Sequence, residues 1–248
     1  MQIQAPQPLS AITETNKYRF ITTFTSASAL LITVAAFTTP TAQADIISRT
    51  ADFENIEPGE DPQQGWTLGV ADEFVDFLPN GNHFLHGEID NWGVTLHSKR
   101  NGTNPWVGDK DYRSEGVVGF ELTVAAIAQF PTARKLTIFL MDDNGTPNDV
   151  ADDFGFYHTI NQWYFFQANP RTYQFLIPSW ETGDTPPDGW FPYAVNGEIP
   201  PDISWDQVIT NVDRLDVGFW RPDFFYIFQT HEFAIDNVRI YVDTDLRQ

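Results

Sequence analysis

The amino-acid sequence predicts an all-β protein, an antiparallel β-sandwich decorated by one short helix. Apolar side chains alternate with polar ones along several segments, which is the pattern of strands with one buried face. Sixteen glycines and seventeen prolines interrupt the 248 residues, and such frequent interruption favours short strands over long helices. Hydrophobic residues make up 42% of the chain, which is enough to build a core.

The predicted strands are the segments in which alternate residues are apolar. The residues expected to share the buried faces are Trp92, Val94 and Leu96; Val118, Phe120, Leu122 and Val124; Leu136, Ile138 and Leu140; Tyr173, Phe175 and Ile177; and Leu215, Val217 and Phe219. Asn-Gly and Asp-Gly dipeptides and proline-rich runs separate these segments, as is usual for turns. The arrangement indicates antiparallel strands packed in two layers.

The last predicted strand changes phase halfway along its length. Its apolar residues lie at odd positions, Phe233 and Ile235, and then at even positions from Val238 to Val242. One extra residue in a strand reverses the side-chain alternation. The sequence therefore predicts a β-bulge at Asp236-Asn237.

One helix is predicted near Ser204–Val212. Ser204 is a favourable N-cap residue, and Gln207 three positions later completes a capping box. The residues that share its apolar face are Trp205, Val208, Ile209 and Val212.

Residues 1–44 have the pattern of a cleaved signal peptide. An apolar, small-residue stretch at Phe20–Phe37 is followed by Ala42-Gln43-Ala44, which supplies the small residues that a signal peptidase requires. Serine and threonine dilute the stretch below the hydrophobicity typical of a membrane span. The sequence thus predicts one sandwich domain at 45–248 that is exported to the periplasm, cell surface or medium, without membrane insertion after cleavage.

The charge and the absence of cysteine exclude several classes of protein. Fourteen basic residues against thirty-four acidic ones give a formal net charge of −20, which opposes binding to nucleic acids. Without cysteine there are no disulfides, thiolate nucleophiles or cysteine-ligated zinc ions. An exported domain without disulfides needs another source of stability, such as a bound calcium ion or a large core.

The two ends of the predicted domain resemble a known group of proteins. Asp52-Phe53-Glu54 followed by Gly65-Trp66, together with the closing Ile235–Val238, resembles bacterial secreted β-sandwiches of the jelly-roll type, which include carbohydrate-binding modules and laminin-B-like (domain IV) domains. Val107–Leu122 and Trp205–Trp220 are similar to the laminin-B-like pattern. The resemblance implies a jelly-roll sandwich and an extracellular setting, in a fold that hosts sugar binders, enzymes and adhesion domains alike.

The resemblance also implies a structural calcium site. In the carbohydrate-binding relatives such an ion is held between the first and last strands, and the matching positions here are Glu54 and Asp236. A hard cation prefers carboxylate and carbonyl oxygens that converge from separate strands. The alternative is a surface bulge that binds no ion.

A second group of acidic residues lies in one predicted loop. Its members are Asp142, Asp143, Asp149, Asp152 and Asp153. Their spacing does not fit an EF-hand, since Leu140 and Ala151 would occupy coordinating positions. Either the loop is a solvated hairpin connection or it is a loose extracellular calcium loop.

No catalytic residues are assigned from the sequence. Glu88-Ile89-Asp90 begins like the catalytic strand of laminarinase-type hydrolases, but Gly93 stands where the acid/base glutamate is needed. Candidate bases for a polysaccharide lyase are Tyr157 with His158 and Tyr226 with His231. Because neighbouring arginines and lysines are scarce, a polysaccharide-degrading enzyme is the least favoured function.

The proline-rich segment Pro178–Pro201 is the predicted binding element. Its aromatic residues can stack on sugar rings, and its aspartates can bond sugar hydroxyls. The predicted ligand-binding residues are Trp180, Trp190, Phe191, Tyr193, Asp184 and Asp188. Alternatively, these aromatic side chains cover the edge of the core. The sequence predicts a non-catalytic domain that binds a glycan or matrix polymer, preferably neutral or amino-bearing, with a structural or adhesive protein-interaction domain as the alternative.

Overall fold

A computed structural model describes residues 46–54, 56, 65–68, 73–77, 81–91, 94–98, 104–126, 133–165, 170–224 and 229–246. The predicted signal peptide, Trp92 and Tyr226 lie outside these residues. The strands of the described part are β1 (Ile46–Ala51), β2 (Trp66–Thr67), β3 (Phe74–Phe77), β4 (His83–Asn91), β5 (Thr95–Ser98), β6 (Val117–Ala126), β7 (Ala133–Asp142), β8 (Phe154–Phe165), β9 (Arg171–Leu176), β10 (Trp190–Ala194), β11 (Arg214–Gly218) and β12 (Gln229–Asp243). The α-helix α1 spans Trp205–Ile209, and single 3-10 turns occur at Val150–Asp152 and Thr244–Leu246.

The strands form two antiparallel sheets, which confirms the predicted all-β sandwich. Sheet A has the order β3-β4-β12-β6-β9. Two strands share the same edge of β12: β4 pairs with its first half, and β1 pairs with its second half. Sheet B has the order β10-β8-β7-β11-β5-β2. The chain crosses between the sheets repeatedly, so residues distant in sequence meet on each sheet.

The core lies between the two sheets and consists of the side chains that the alternation predicts. Almost all of the predicted inward residues are buried, including those of β7, β9 and β11. Val118 differs, because the β6–β12 pairing has an irregularity at Tyr241/Val242. There Val117 is fully buried and Val118 is half-buried.

The phase change of β12 is a β-bulge, as predicted. The pairing of β12 with β6 shifts register between Asp236 and Arg239, and Asn237 has a φ of 50°. Asparagine tolerates this left-handed conformation better than most residues. Ile235 and Val238 on either side are both buried, so each half of β12 contributes to the core.

Helix α1 begins as the sequence predicts and ends earlier. The Ser204 hydroxyl accepts a hydrogen bond from the Gln207 backbone N–H at 3.1 Å, and Trp205 is fully buried. The helix ends at Ile209, and Val212 instead forms an isolated β-bridge with Lys110. None of the helices in the described residues is long and apolar enough to cross a membrane.

Part of the segment predicted as a loop is a strand. Residues 190–194 form β10, which pairs with β8 at the edge of sheet B. Pro192 lies within this strand, and an edge strand tolerates proline because one row of its backbone groups needs no partner. The strand gives the surrounding aromatic residues two opposite faces.

Candidate ligand-binding cleft

The outer face of sheet B carries a second group of aromatic side chains, separate from the core. Phe139 and Tyr157 are buried there, and Tyr193 and Trp220 pack against them. The ring of Phe139 lies 5.0 Å from that of Tyr193 and 5.1 Å from that of Trp220. Aromatic residues thus cover a sheet face that no second sheet covers.

A cleft of about 490 Å³ opens on this face. Its lining residues come from β2, β5, β7, β10, β11 and the segments beside them, and they are Thr67, Thr95, His97, Ser98, Phe139, Val150, Tyr193, Val195, Arg214, Asp216 and Trp220. The cleft therefore joins an aromatic wall to a small group of polar and charged side chains. This combination is typical of sites for small molecules and sugars.

A buried carboxylate, Asp216 on β11, organises the polar part of the cleft. Its side chain is 5% exposed, and its Oδ2 lies 3.0 Å from His97 Nδ1 and 2.8 Å from Arg214 Nε. Its Oδ1 accepts from the Ser98 backbone N–H at 3.3 Å. Arg214 also forms an ion pair with the fully buried Asp153. Buried charges need such partners, because an unpaired one is costly to remove from water.

The contact between His97 and Asp216 shifts the pKa of both groups. Burial acts to lower the pKa of His97, but the charge of Asp216 and its hydrogen bond outweigh this effect and raise the pKa. Burial acts to raise the pKa of Asp216, but the charges of His97 and Arg214 outweigh it and lower the pKa. The pair therefore favours a protonated imidazole beside an ionised carboxylate.

Two further contacts position the aromatic wall. The indole Nε1–H of Trp220 donates to Thr95 Oγ1 at 2.9 Å. A Cβ at Gly218 would lie 2.7 Å from that Nε1, so the indole needs a glycine here. The phenol of Tyr193 interacts electrostatically with both Arg214 and Asp216, while burial is the main effect that raises the pKa of Tyr193. Tyr193 thus connects the aromatic wall to the charged group.

The structure separates the two adjacent aromatic residues predicted to bind ligand, Trp190 and Phe191. Trp190 is 5% exposed and packs into the core, with its ring 5.2 Å from that of Trp205 and 5.5 Å from that of His158. The prediction of Trp190 as a ligand anchor is therefore replaced by its alternative, a residue at the edge of the core. Phe191 is 54% exposed on the outer face, where Tyr193 also lies.

The other predicted ligand residues do not line the cleft. Trp180 is exposed in a turn beyond β9, and Asp188 is exposed as well. The Asp184 carbonyl accepts from the Trp205 backbone N–H at 3.0 Å and so holds the start of α1. Of the six predicted residues, Tyr193 is the one that lines the cleft.

Sequence reasoning missed most of the cleft. An aspartate at 216 stands between the core residues Leu215 and Val217 of a central strand, and Phe139 stands between two core residues of β7. An outward aspartate is ordinary in an antiparallel sheet, whereas an outward phenylalanine departs from the usual polar outer face and is the available signal. His97 occupies the same kind of position on β5, next to the buried Leu96.

The residues predicted to hold calcium lie near each other beside the bulge of β12, between the half that pairs with β4 and the half that pairs with β1. Asn82 and His83 connect them, since Asn82 Nδ2 donates to Asp236 Oδ2 at 3.0 Å and the His83 backbone N–H donates to Glu54 Oε1 at 3.2 Å. Burial raises the pKa of Asp236, and the negative charges of Glu54 and Asp52 add to the effect. A divalent cation would balance this excess of negative charge.

The predicted acidic loop does not form one cluster. Carboxylate oxygens of Asp142, Asp143 and Asp213 lie within 4.8 Å of one another, and the sequence had not indicated Asp213. Backbone N–H groups donate hydrogen bonds to these carboxylates. For example, the Asp143 backbone N–H donates to Asp213 Oδ2 at 3.1 Å. Asp149 caps the 3-10 turn and Asp153 pairs with Arg214 instead.

Of the candidate lyase bases, the structure describes the side chains of Tyr157 and His158, and these two lie in different surroundings. Tyr157 lies on the outer face, whereas His158 stacks on the buried Trp190 and has its Nδ1 2.8 Å from the Gly189 carbonyl oxygen. Glu88 is exposed on β4 of the other sheet.

Trp190→Ala and Phe191→Ala test the two faces of β10. We expect Trp190→Ala to reduce the free energy of unfolding by about 3–5 kcal/mol, because it leaves a cavity in the core. Phe191→Ala removes a ring that is already half in solvent, so the expected loss is about 1 kcal/mol or less. Denaturant unfolding of both variants measures the difference, and equal losses would contradict the assignment of the two faces.

The pair of His97 and Asp216 makes stability depend on pH in two directions. The raised pKa of His97 adds stability that is complete below about pH 6.5 and is lost as the pH rises through the folded-state value. The lowered pKa of Asp216 adds stability that is complete above about pH 3.9 and is lost as the pH falls through the folded-state value. We expect the melting temperature of the wild type to exceed that of His97→Gln most between these limits. Thermal unfolding of both proteins across a pH series measures this difference in melting temperature. A difference that does not change with pH would show that the pair does not titrate as described.

No protein-family model and no curated protein matches this chain. Among solved structures, an exo-β-agarase matches with a TM-score of 0.45 and 12% identity over 78% of this chain and 24% of that one, so this chain spans about a quarter of its length. A family 11 carbohydrate-binding module from Clostridium thermocellum, solved with a mixed-linked β-1,3-1,4 tetrasaccharide, matches with a TM-score of 0.41 and 10% identity over 78% of this chain and 94% of that one. A mannan-recognising carbohydrate-binding module matches with a TM-score of 0.36 and 14% identity over 81% of this chain and all of that one. The chain is therefore similar to carbohydrate-binding modules, weakly and at the level of the fold alone.

Proposed function

We propose that this chain is an exported, non-catalytic domain that binds a neutral glycan in the cleft of sheet B. The observation that carries the proposal is the aromatic wall formed by Phe139, Tyr193 and Trp220 beside the polar group around Asp216. Aromatic rings stack on the C–H faces of sugars, and fixed polar groups bond their hydroxyls. Export rests on the signal-peptide pattern of residues 1–44.

The charges of the cleft favour a ligand without negative charge. Asp153 and Asp216 together carry one more charge than Arg214 can balance. The whole chain has a formal net charge of −20, which opposes the approach of acidic polysaccharides.

The proposal is non-catalytic because the cleft does not present the groups that hydrolysis of a glycosidic bond requires. Glycosidases use two carboxyl groups on opposite sides of the bond. Among the described residues that line the cleft, Asp216 is the one carboxylate, and His97, Arg214 and Ser98 occupy its oxygens.

A protein-binding surface is the second candidate function. Val150, Val195 and Phe191 are exposed on or beside the cleft, and an exposed apolar patch can also mark a protein interface. The two candidate functions differ in one measurable property: a glycan-binding domain binds soluble polysaccharides, and a protein-binding surface does not.

Affinity gel electrophoresis in polyacrylamide that contains one polysaccharide at a time tests the proposal. We expect retardation by at least one neutral polysaccharide from a panel of xylan, galactomannan and hydroxyethyl cellulose, and none by polygalacturonate. Tyr193→Ala should weaken binding by about 1–3 kcal/mol, because it removes an aromatic anchor. Trp180→Ala is the matched control, since it removes an exposed aromatic ring outside the cleft and should leave binding unchanged.

Two results of this electrophoresis experiment would contradict glycan binding in the cleft. If no polysaccharide retards the wild type, glycan binding is wrong and the protein-binding candidate takes its place. If Trp180→Ala weakens binding and Tyr193→Ala does not, the glycan binds at the turn beyond β9 and not in the cleft. Tyr193→Phe, which keeps the ring, separates loss of stacking from loss of the hydroxyl.

We also propose that Glu54 and Asp236 hold a structural calcium ion. The observation in favour is the partly buried excess of carboxylate charge at the junction of β12 with the chain that follows β1. Phe53, next to Glu54, is fully buried with a φ of 57°, an unusual conformation for a bulky residue. Such a conformation needs strong support from its surroundings, and a bound ion would supply it.

Thermal unfolding with calcium and with a chelator tests this site. An ion that binds only the folded state raises the melting temperature in proportion to the logarithm of its concentration once the site is saturated. We expect this increase in the wild type and in the control Glu198→Ala, whose exposed carboxylate lies elsewhere, and not in Glu54→Ala. An equal response of Glu54→Ala and wild type would place the ion at another site.

A further inference from the structure

The ring of His97 has a fixed orientation in the cleft. An ionised carboxylate is an acceptor only, so His97 Nδ1 donates the hydrogen bond to Asp216. Asp216 has further contacts that favour this position, since its Oδ2 forms an ion pair with Arg214 Nε and its Oδ1 accepts from the Ser98 backbone N–H. The second ring nitrogen, Nε2, therefore points away from Asp216, and the side chain is 41% exposed where it lines the cleft.

The charges around His97 determine what Nε2 offers to a ligand. The groups of the described chain that act on the ring are Asp216 and Arg214 on β11 and Glu73, which precedes β3. Their sum is negative, and Asp153 beyond Arg214 adds another negative charge. A protonated imidazole offsets one of these negative charges, and in that state both ring nitrogens are donors.

We propose that His97 is a specificity-determining residue that donates from Nε2 to a ring or glycosidic oxygen of the bound sugar, so that binding weakens when the imidazole loses its proton. Such an ether oxygen has no hydrogen to donate in return, whereas a hydroxyl could donate to the deprotonated Nε2. This inference rests on the proposed glycan-binding function and narrows its ligand class. A protonated amino group has no lone pair to accept this hydrogen bond, so an amino-bearing sugar is disfavoured at this subsite. A carboxylate is also disfavoured, because the three carboxylates Asp216, Glu73 and Asp153 outnumber Arg214 and the protonated imidazole.

The experiment measures the affinity of the wild type for the neutral panel polysaccharide that retards it most, between about pH 5.5 and about pH 8.5, the range in which histidine titrates. We expect affinity to fall about tenfold across this range, which corresponds to one hydrogen bond to a charged donor. His97→Gln has a side-chain amide that does not titrate, so its affinity should be independent of pH. His158→Gln is the matched control, because it removes a histidine of the same sheet that does not line the cleft, and it should keep the wild-type dependence.

Each of the other possible outcomes contradicts one part of the proposal. A wild-type affinity that is independent of pH, or a His97→Gln variant that keeps the full dependence, overturns the role of His97 and leaves glycan binding intact. Tighter binding of chitosan or polygalacturonate than of the neutral polysaccharides overturns the ligand class. Failure of every polysaccharide at every pH overturns the proposed function itself. If His97→Gln does not fold, the same series with His97→Asn decides the point.

Discussion

The organisation of the molecule depends on one constraint: sheet B carries large apolar side chains on both faces, but sheet A covers only one of them. Leu136, Ile138 and Leu140 of β7 enter the core, and the alternate residues Phe139 and Met141 face outward. A sheet surface of this kind must either remain partly exposed or be shielded by neighbouring groups. Here the rings of Tyr193 and Trp220 fold over Phe139 and form one wall of a cleft, so the surplus apolar surface and the candidate site are the same feature.

A charged cluster within an aromatic surface is tolerated only because its members satisfy one another. Asp216 and Asp153 are both buried, and Arg214 pairs with each of them. Removing one partner from such a group leaves a buried charge without compensation, which costs more than the pair itself contributes. The cluster therefore fixes the position of β11 relative to β5 and the start of β8. Asp216 also holds the ring of His97 through the contact with its Nδ1, so the polar half of the cleft is determined by the fold and not by a ligand.

The sequence predicts the fold well where the residue pattern within a single segment is sufficient to identify the structure. Alternation identifies most core residues, and the phase change at Asp236-Asn237 locates the bulge of β12 because both halves of that strand face the core. The N-cap at Ser204 identifies the start of α1 for the same local reason. These features are set by neighbours in sequence, which is the information that a single sequence contains.

The candidate site is predicted less well because no local pattern contains it. His97, Tyr193 and Asp216 lie on three strands separated by long stretches of chain. They come together through the sheet order β10-β8-β7-β11-β5, which no local pattern in the sequence specifies. Proline content suggested a loop at 178–201, whereas β10 lies at a sheet edge where proline is permitted. Once that segment is a strand, its alternation assigns Trp190 to the core and Tyr193 to the cleft.

The side chains of the cleft are held in place by other protein groups, which affects how the cleft would bind a ligand. Trp220 is held through Thr95, and His97 is held through Asp216, so neither contact depends on a bound molecule. A site whose groups are already ordered loses little conformational entropy on binding, which favours recognition of a flexible polymer with few direct contacts. A sugar chain that binds as proposed would therefore meet side chains that are already in place.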